Sequence, residues 1–325
     1  MLKLILYIIV LFFVSDQLRA QDPVFSQFMF NQVNFNPAFA GTGQSPRFTA
    51  GYRNQWPGLG NTYISYYASY DQFAEKLSGG IGIALNKDEQ GDGVFSTTGL
   101  DVIYSYPFAI NPDLMVNMGL QAGINQNSLN TNGLILADQN PFTVTGQNEI
   151  IPDQSIFYPD FSAGISFYSH EQYQLSIAVH HLNTPKIISG SAEAYTLPML
   201  FTLQMLSQFP GKPEFNEKYN LIFYPGIMVQ MQKEYLYLNY GSNLQYKQFL
   251  TGFWLRNDLL FHINTFILMA GWAWSGIHIT YSYDLWLPKT SQPTSIYNSN
   301  EVTLIYLFQY KETKKKRKAL NCPKF

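Results

Sequence analysis

Charge is scarce in this chain. Asp, Glu, Lys and Arg make up 13% of its 325 residues, about half the usual share of a soluble domain. The two signs nearly balance, at a net charge of −2, so there is no basic field of the kind that attracts nucleic acid. Cysteine is almost missing: Cys322 alone, near the C-terminus, excludes an intramolecular disulfide and a cysteine metal cluster. After Val14 no apolar run is long enough to cross a bilayer as a helix, which takes roughly 20 residues. Catalytic signatures are also lacking. There is no G-x-S-x-G, no H-E-x-x-H, no P-loop and no G-x-G-x-x-G, so the sequence reads as non-enzymatic and no cofactor or metal is expected.

Aromatic residues are abundant, at 16% of the chain and mostly Tyr and Phe. Yet the mean hydropathy is near neutral, at −0.10. Few charges, many rings and no spanning helix suit a transmembrane β-barrel, in which apolar and polar residues alternate and average out.

The first residues read as an export signal. Met1-Leu2-Lys3 leads into an apolar run from Leu4 to Val14, and Ala20-Gln21 follows a polar stretch. A basic start, a short apolar core and a small residue before a polar one form a secretory signal peptide. Residues 1–20 are assigned to it, with cleavage after Ala20, although Leu18 fits poorly two positions before that cut. No cysteine lies nearby, so this is not a lipoprotein signal. The alternative, a membrane anchor, needs a longer apolar run.

Beyond residue 44 the pattern has period two. Leu114, Val116, Met118, Leu120, Ala122 and Ile124 share one face, while Asn117, Gly119, Gln121, Gly123 and Asn125 share the other. Successive strand side chains point to opposite sides, so one face is greasy and the other small or polar. The same alternation marks strands near 80–86, 173–180, 236–246, 277–284 and 302–310. Weaker strands are read near 45–54, 62–71, 94–106, 159–168, 197–208, 217–231, 247–257 and 259–272. The total is about 14, an even number, as in bacterial barrels. A soluble sandwich also alternates, but it shows water a charged face. Here the polar face is Gly, Ser, Asn, Gln and Tyr, which suits a filled lumen. In a bilayer every strand edge must be paired, so the sheet has to close.

The expected fold is all-β: a transmembrane antiparallel barrel over residues 45–310. An irregular segment at 21–44 precedes it and a basic tail at 311–325 follows. Trp56, Tyr104, Tyr106, Trp272, Trp274 and Trp286 fall near strand ends, where amphipathic rings meet lipid headgroups. Three long connections, 126–159, 183–196 and 288–300, fall on one side of the barrel by this count, and tight turns such as Ser275-Gly276 on the other. Segment 21–44 carries Phe25, Phe28, Met29, Phe30, Phe35 and Phe39 without alternation, and Pro23 and Pro37 break any long helix. So much apolar surface is expected to fill the lumen or cap the periplasmic mouth; the alternative is a trailing leader.

Other features have plain readings. His180 and His181 are adjacent on a strand, so they should face opposite ways. His180 and His278 are expected to point inward with Asp101 and Asp284 and form a His–Asp hydrogen bond. Asp88-Glu89-Gln90-Gly91-Asp92-Gly93 is an acidic turn, with calcium chelation as the less common alternative. The run Lys311 to Lys318, with Lys315, Lys316 and Arg317, is either a solvated end or a patch for anionic lipid or an acidic partner. Cys322 and Phe325 beyond it favour docking over a free tail.

Several blocks then carry a resemblance. Gln21-Asp22-Pro23-Val24-Phe25-Ser26-Gln27-Phe28-Met29-Phe30-Asn31, continuing through Asn36-Pro37-Ala38-Phe39-Ala40-Gly41, resembles the opening of the PorP/SprF family of type IX secretion proteins. Arg53-Asn54-Gln55-Trp56-Pro57-Gly58, Tyr281-Ser282-Tyr283-Asp284 and Cys322-Pro323-Lys324-Phe325 are similar too. Two places depart: Glu193-Ala194-Tyr195-Thr196 replaces an Arg-His-Tyr-like segment, and Asn298-Ser299-Asn300-Glu301 a Gly-Ser-His-Glu-like run. The resemblance implies an outer-membrane barrel of a Gram-negative-type envelope that works with secretion machinery. It implies two kinds of partner: a secreted adhesin with a type IX sorting domain, gliding adhesins included, or periplasmic secretion-ring lipoproteins. Candidate partner contacts are Phe25, Phe28, Met29, Phe30, Asn31, Asn36, Pro37, Trp56, Lys315, Lys316, Arg317, Cys322 and Phe325. The competing reading is a porin or small-solute channel.

Overall fold

The computed structural model describes residues 22–43, 45–60, 63–111, 113–130, 153–169, 172–187, 195–209, 221–258, 262–287 and 297–308. The signal-peptide reading and the tail residues Lys315, Lys316, Arg317, Cys322 and Phe325 lie outside them.

Sixteen strands are present among the described residues. Along the chain they are β1 (Arg47–Gln55), β2 (Tyr63–Ala74), β3 (Gly79–Gln90), β4 (Phe95–Asn111), β5 (Leu114–Leu129), β6 (Gln154–Ser169), β7 (Tyr173–His180), β8 (Lys186–Ile187), β9 (Tyr195–Thr196), β10 (Leu200–Ser207), β11 (Leu221–Gln232), β12 (Tyr235–Tyr246), β13 (Phe249–Asn257), β14 (Ile263–Trp274), β15 (Ile277–Trp286) and β16 (Ser299–Leu307). Fourteen of them form a closed antiparallel barrel, with β1 pairing both β2 and β16; β8 and β9 make a separate two-stranded piece. Closure leaves no sheet edge bare, which is what lipid demands of a β structure.

The alternation decides which way each strand faces. In β7, Gln174, Ser176, Ala178 and His180 are buried while Tyr173, Leu175 and Ile177 are exposed. In β16, Glu301, Thr303 and Ile305 face in and Val302, Leu304 and Tyr306 face out. The outer surface is thus a band of Leu, Ile, Val, Phe and Tyr that water would not tolerate, whereas hydrocarbon does. Trp272, Trp274 and Tyr106 stand on that outer face, at half exposure or more.

Where the structure differs from the sequence reading, the differences are local. β5 runs on to Leu129 and β6 starts at Gln154, so the first long connection is shorter than 126–159. The ladder Gln126↔Phe157 to Leu129↔Gln154 joins strand ends in which Gln, Asn and Ser interrupt the apolar alternation. The β8–β9 pair falls inside the connection read as loop at 183–196. All three long connections join strands at the same end of the barrel, here named the loop end; the strand starts nearest the termini mark the turn end.

Residues 22–43 run through the barrel interior. Phe25, Phe28, Met29, Phe30, Phe35 and Phe39 are all buried. A single helical turn at Gln32–Phe35 and a 3-10 turn at Pro37–Phe39 break the segment into short bends. Two glycines make room for it. A Cβ on Gly119 would overlap the backbone of Pro37 and Ala38, and one on Gly164 would overlap the Asn36 side chain. The wall of β5 and β6 is bare where the Asn36-Pro37-Ala38 corner rests.

Candidate functional site

The inner wall and the N-terminal segment are joined by one buried charge network. Arg53 of β1, Arg256 of β13, Asp284 of β15 and Glu301 of β16 meet around Ser26. The Ser26 hydroxyl donates to Asp284 Oδ2 at 2.6 Å and accepts from Arg53 Nη1 at 3.0 Å and Arg256 Nη2 at 2.8 Å. One donor and two lone pairs are a hydroxyl's full capacity. Arg53 also bonds Asp284 at 2.8 Å and Glu301 at 3.2 Å. The Ser26 and Gln27 backbone N–H groups donate to the two oxygens of Glu301, at 2.7 and 3.2 Å. Two cations and two anions cancel, so the cluster tolerates burial as long as all four are present.

This network corrects the expectation of a lumen lined by uncharged groups. Arg53 and Glu301 belong to the sequence blocks at 53–58 and 298–301, and neither block by itself signals a buried ion pair. A second ion pair lies at the turn end: Arg47 Nε bonds Asp71 Oδ1 at 2.9 Å, and the Gly41 N–H donates to Asp71 Oδ2 at 2.8 Å. The segment is therefore tied by charge near both ends.

Apolar contacts fill the space between. Phe28 meets Trp254 edge-on at 4.9 Å and Phe25 meets Tyr67 at 5.1 Å, geometries worth about 0.5–1.5 kcal/mol each beyond burial. Asn36 caps the 3-10 turn by accepting from the Ala38 N–H at 2.9 Å, and donates to the Ile165 and Ile177 carbonyls at 3.3 and 3.1 Å. Asn31 and Pro37 are buried beside these contacts. Seven of the candidate partner contacts, Phe25, Phe28, Met29, Phe30, Asn31, Asn36 and Pro37, thus face the barrel's own interior.

The histidines differ from expectation. His181 follows the end of β7 with φ +57°, so the strand alternation stops and both rings turn inward, 6.4 Å apart. His180 bonds Ser162 Oγ at 3.1 Å and the Phe35 carbonyl at 3.0 Å, not an aspartate. The His–Asp contacts belong to His181: Nδ1 to Asp160 at 2.8 Å and Nε2 to Asp22 at 2.7 Å. Asp284 serves the arginines, and Asp101 accepts from Asn86 at 3.2 Å. His278 is half-buried and takes no part in these pairs.

Asp22 also accepts from Gln232 Nε2 at 3.0 Å. Burial alone would depress His181; the carboxylates of Asp22 and Asp160 outweigh it and hold the imidazolium up to about 10. Burial alone would raise Asp22; the facing imidazolium outweighs it and keeps the carboxyl below its usual range. A raised histidine stabilises fully below its unfolded pKa of about 6.5 and loses that contribution as pH climbs through about 10. A depressed aspartate stabilises above its unfolded value of 3.8 and loses it as pH falls through the lowered value. The Asp22 anchor is therefore strongest from about pH 4 to 6.5 and persists to about pH 10. Hydrogen exchange at residues 22–25 should stay slow across that window and accelerate above it, and His181→Gln should remove the upper step.

Above the segment, at the loop end, lies a cavity of about 1180 Å³. Its floor is Asp22 to Phe25 with Asn34 and Phe35. Trp56, Tyr63, Trp286 and Tyr297 line one side and meet in series, edge-to-face at 5.3 Å (Trp56–Tyr63) and 6.1 Å (Trp56–Tyr297) and tilted at 4.7 Å (Trp286–Tyr297). Trp56 holds φ +58°, a left-handed backbone that a bulky residue adopts only when its surroundings impose it. The fixing contact is its N–H to the Asn298 carbonyl at 3.1 Å. Asp88, expected in an acidic turn, instead lies in β3, which runs to Gln90, and accepts from Ser65 and Gln90. No group of three or more metal-ligating side chains gathers there or elsewhere among the described residues.

The family model for the type IX secretion system membrane protein PorP/SprF matches residues 17–306. The chain belongs to the PorP/SprF family. As a member, it is an outer-membrane β-barrel of that secretion system. None of the curated proteins compared with the chain matches it. Among solved structures, the barrel is similar to a Pseudomonas aeruginosa FadL homologue, with 11% identity over 84% of this chain and 94% of that one, TM-score 0.45. It is similar to the Acinetobacter baumannii outer-membrane protein Omp33, with 6% identity over 82% and 100%, TM-score 0.46. It is also similar to the CymD monoaromatic hydrocarbon channel, with 12% identity over 90% and 95%, TM-score 0.48. These likenesses extend to the barrel fold and no further. Within this PorP/SprF chain, the Ser26-Gln27 and Asn36-Pro37-Ala38 stretches of the opening block make the contacts to the wall just described.

Proposed function

We propose that this barrel is a non-enzymatic binding and assembly component: it assists secretion or surface attachment of a large adhesin with a type IX sorting domain, and docks on secretion-ring lipoproteins. The observation that carries the reading is the occupied lumen. A general porin keeps a water-filled lumen, whereas here residues 22–43 are tied to β1, β13, β15 and β16 through Ser26. A filled barrel is suited to holding a partner at its rim. The family membership supplies the secretion context.

The same reading assigns residues 1–20 to a cleaved signal and the basic tail, with Lys315, Lys316, Arg317, Cys322 and Phe325, to periplasmic docking against an acidic partner or anionic lipid. Trp56 would serve the rim. Affinity capture from detergent-solubilised outer membrane, followed by mass spectrometry, tests the proposal. Recovery of a very large secreted protein supports the adhesin branch, and recovery of ring lipoproteins supports the docking branch. Recovery of neither overturns both.

A further inference from the structure

The loop-end cavity has a side that the lock around Ser26 does not use. On β3 to β6, the strands that follow β2 round the wall from the aromatic rings, Asn86, Asp101, Gln121 and Asp160 line the cavity near Gly123. Gly123 is the neighbour of both Asp101 and Asp160 in the ladder, and a Cβ there would overlap Asp101 Oδ1. The glycine leaves the space that the Asp101 carboxylate occupies beside the strand carrying Asp160.

Asp160 is nine-tenths buried, and its Oδ1 has no hydrogen-bond partner among the described residues. The same holds for Asn86 Oδ1 and Gln121 Oε1. Every one of these open positions is an acceptor. The neighbouring cation, His181, is already engaged by Asp22 and Asp160 Oδ2. Arg53 and Arg256 are taken up by Asp284 and Glu301. A cluster of unmet acceptors with surplus negative charge calls for a ligand with several N–H donors and a positive charge. It does not call for a transition-metal ion, because no three His, Cys, Asp or Glu side chains converge there.

We propose that this wall of the cavity receives a lysine or arginine side chain of a polypeptide segment whose neighbouring residues lie against the Trp56–Tyr63–Tyr297–Trp286 rings. The volume favours a segment over a free amine: about 1180 Å³ exceeds the 300–1,000 Å³ of an ordinary small-molecule pocket. The chemistry divides in two, with donors demanded at one side and apolar flat surface offered at the other. This assignment rests on the secretion reading above for the identity of the polypeptide as a partner.

The test uses the full mature protein in nanodiscs and three labelled probes: acetyl-Tyr-Gly-Lys-Gly-Tyr-amide and its arginine and norleucine counterparts. The lysine or arginine peptide should bind about tenfold or more tightly than the norleucine peptide, as expected for a charged hydrogen bond made in a shielded site. In Asp101→Asn and Asp160→Asn, each of which keeps an acceptor oxygen, that preference should collapse. A Lys76→Gln variant, which alters an exposed residue of the turn between β2 and β3 that does not line the cavity, should retain it. Equal binding of all three peptides, or no binding of any at millimolar concentration, overturns the proposal. So does a preference that survives both aspartate substitutions. The two readings fail separately. An adhesin captured by a protein with no lysine or arginine preference overturns the cavity assignment alone. A preserved preference with no captured partner overturns the secretion reading alone.

Discussion

Arg53→Ala is expected to cost about 3–5 kcal/mol of stability, among the largest effects of any single side chain in the molecule. The side chain is 3% exposed and compensates two carboxylates, Asp284 and Glu301, whose side chains are 2% and 0% exposed. Removing the cation leaves Asp284 with Arg256 at 3.5 Å and the Ser26 hydroxyl, and leaves the Glu301 carboxylate with only the Ser26 and Gln27 N–H groups. Unfolding in urea from detergent micelles, followed by the heat-dependent gel shift typical of barrels, would show the lowered midpoint. The double variant Arg53→Ala, Glu301→Gln should recover part of the loss, because it removes one charge of each sign and leaves Arg256 and Asp284 as a balanced pair. An unchanged midpoint in the single variant would mean that the four charges are hydrated rather than sealed.

Deleting residues 22–40 is expected to leave a closed barrel with an open interior. The strand ladder is continuous from β1 round to β16 without any contribution from the segment, so lipid-facing structure should persist. What disappears is the interior filling. Phe25, Phe28, Phe35 and Phe39 each lose a burial worth roughly 1.5–3 kcal/mol, and the inner charges become wet. Cells making the deleted form should admit bulky hydrophilic dyes that the intact form excludes. Where the deletion lowers the amount of barrel in the membrane, the pair Gly119→Val and Gly164→Val offers a second route. Both side chains would collide with the Asn36-Pro37-Ala38 corner while leaving the ladder in place. Dye exclusion by every one of these variants would mean that the segment does not close the lumen.

Much of the barrel was legible because its information is local. The alternation at Leu114–Asn125 names the two faces of β5, and the structure puts Met118, Leu120 and Ile124 outside with Asn117 and Gly119 inside. Strand number follows by repetition. Boundaries fail where apolar alternation fades, as at Gln154–Pro159, whose pairing is imposed by the neighbouring strand rather than by its own pattern.

The lock around Ser26 was only half legible. Parity along β1, β15 and β16 sends Arg53, Asp284 and Glu301 inward, so opposite charges on inward positions were a usable signal. Their meeting was not readable, because Arg53 and Glu301 lie 248 residues apart and touch only once the barrel has closed. His181 shows the opposite weakness. A rule of alternation was carried one residue past the strand, where a left-handed backbone reverses the outcome.

The claim on which the rest depends is that the interior of the intact protein is occupied by its own N-terminal segment. Planar-bilayer recording of the purified mature protein beside the 22–40 deletion tests it most directly. Silence from the intact protein and steady conductance steps from the deletion are the predicted result. Steady ohmic steps of similar size from both would contradict it.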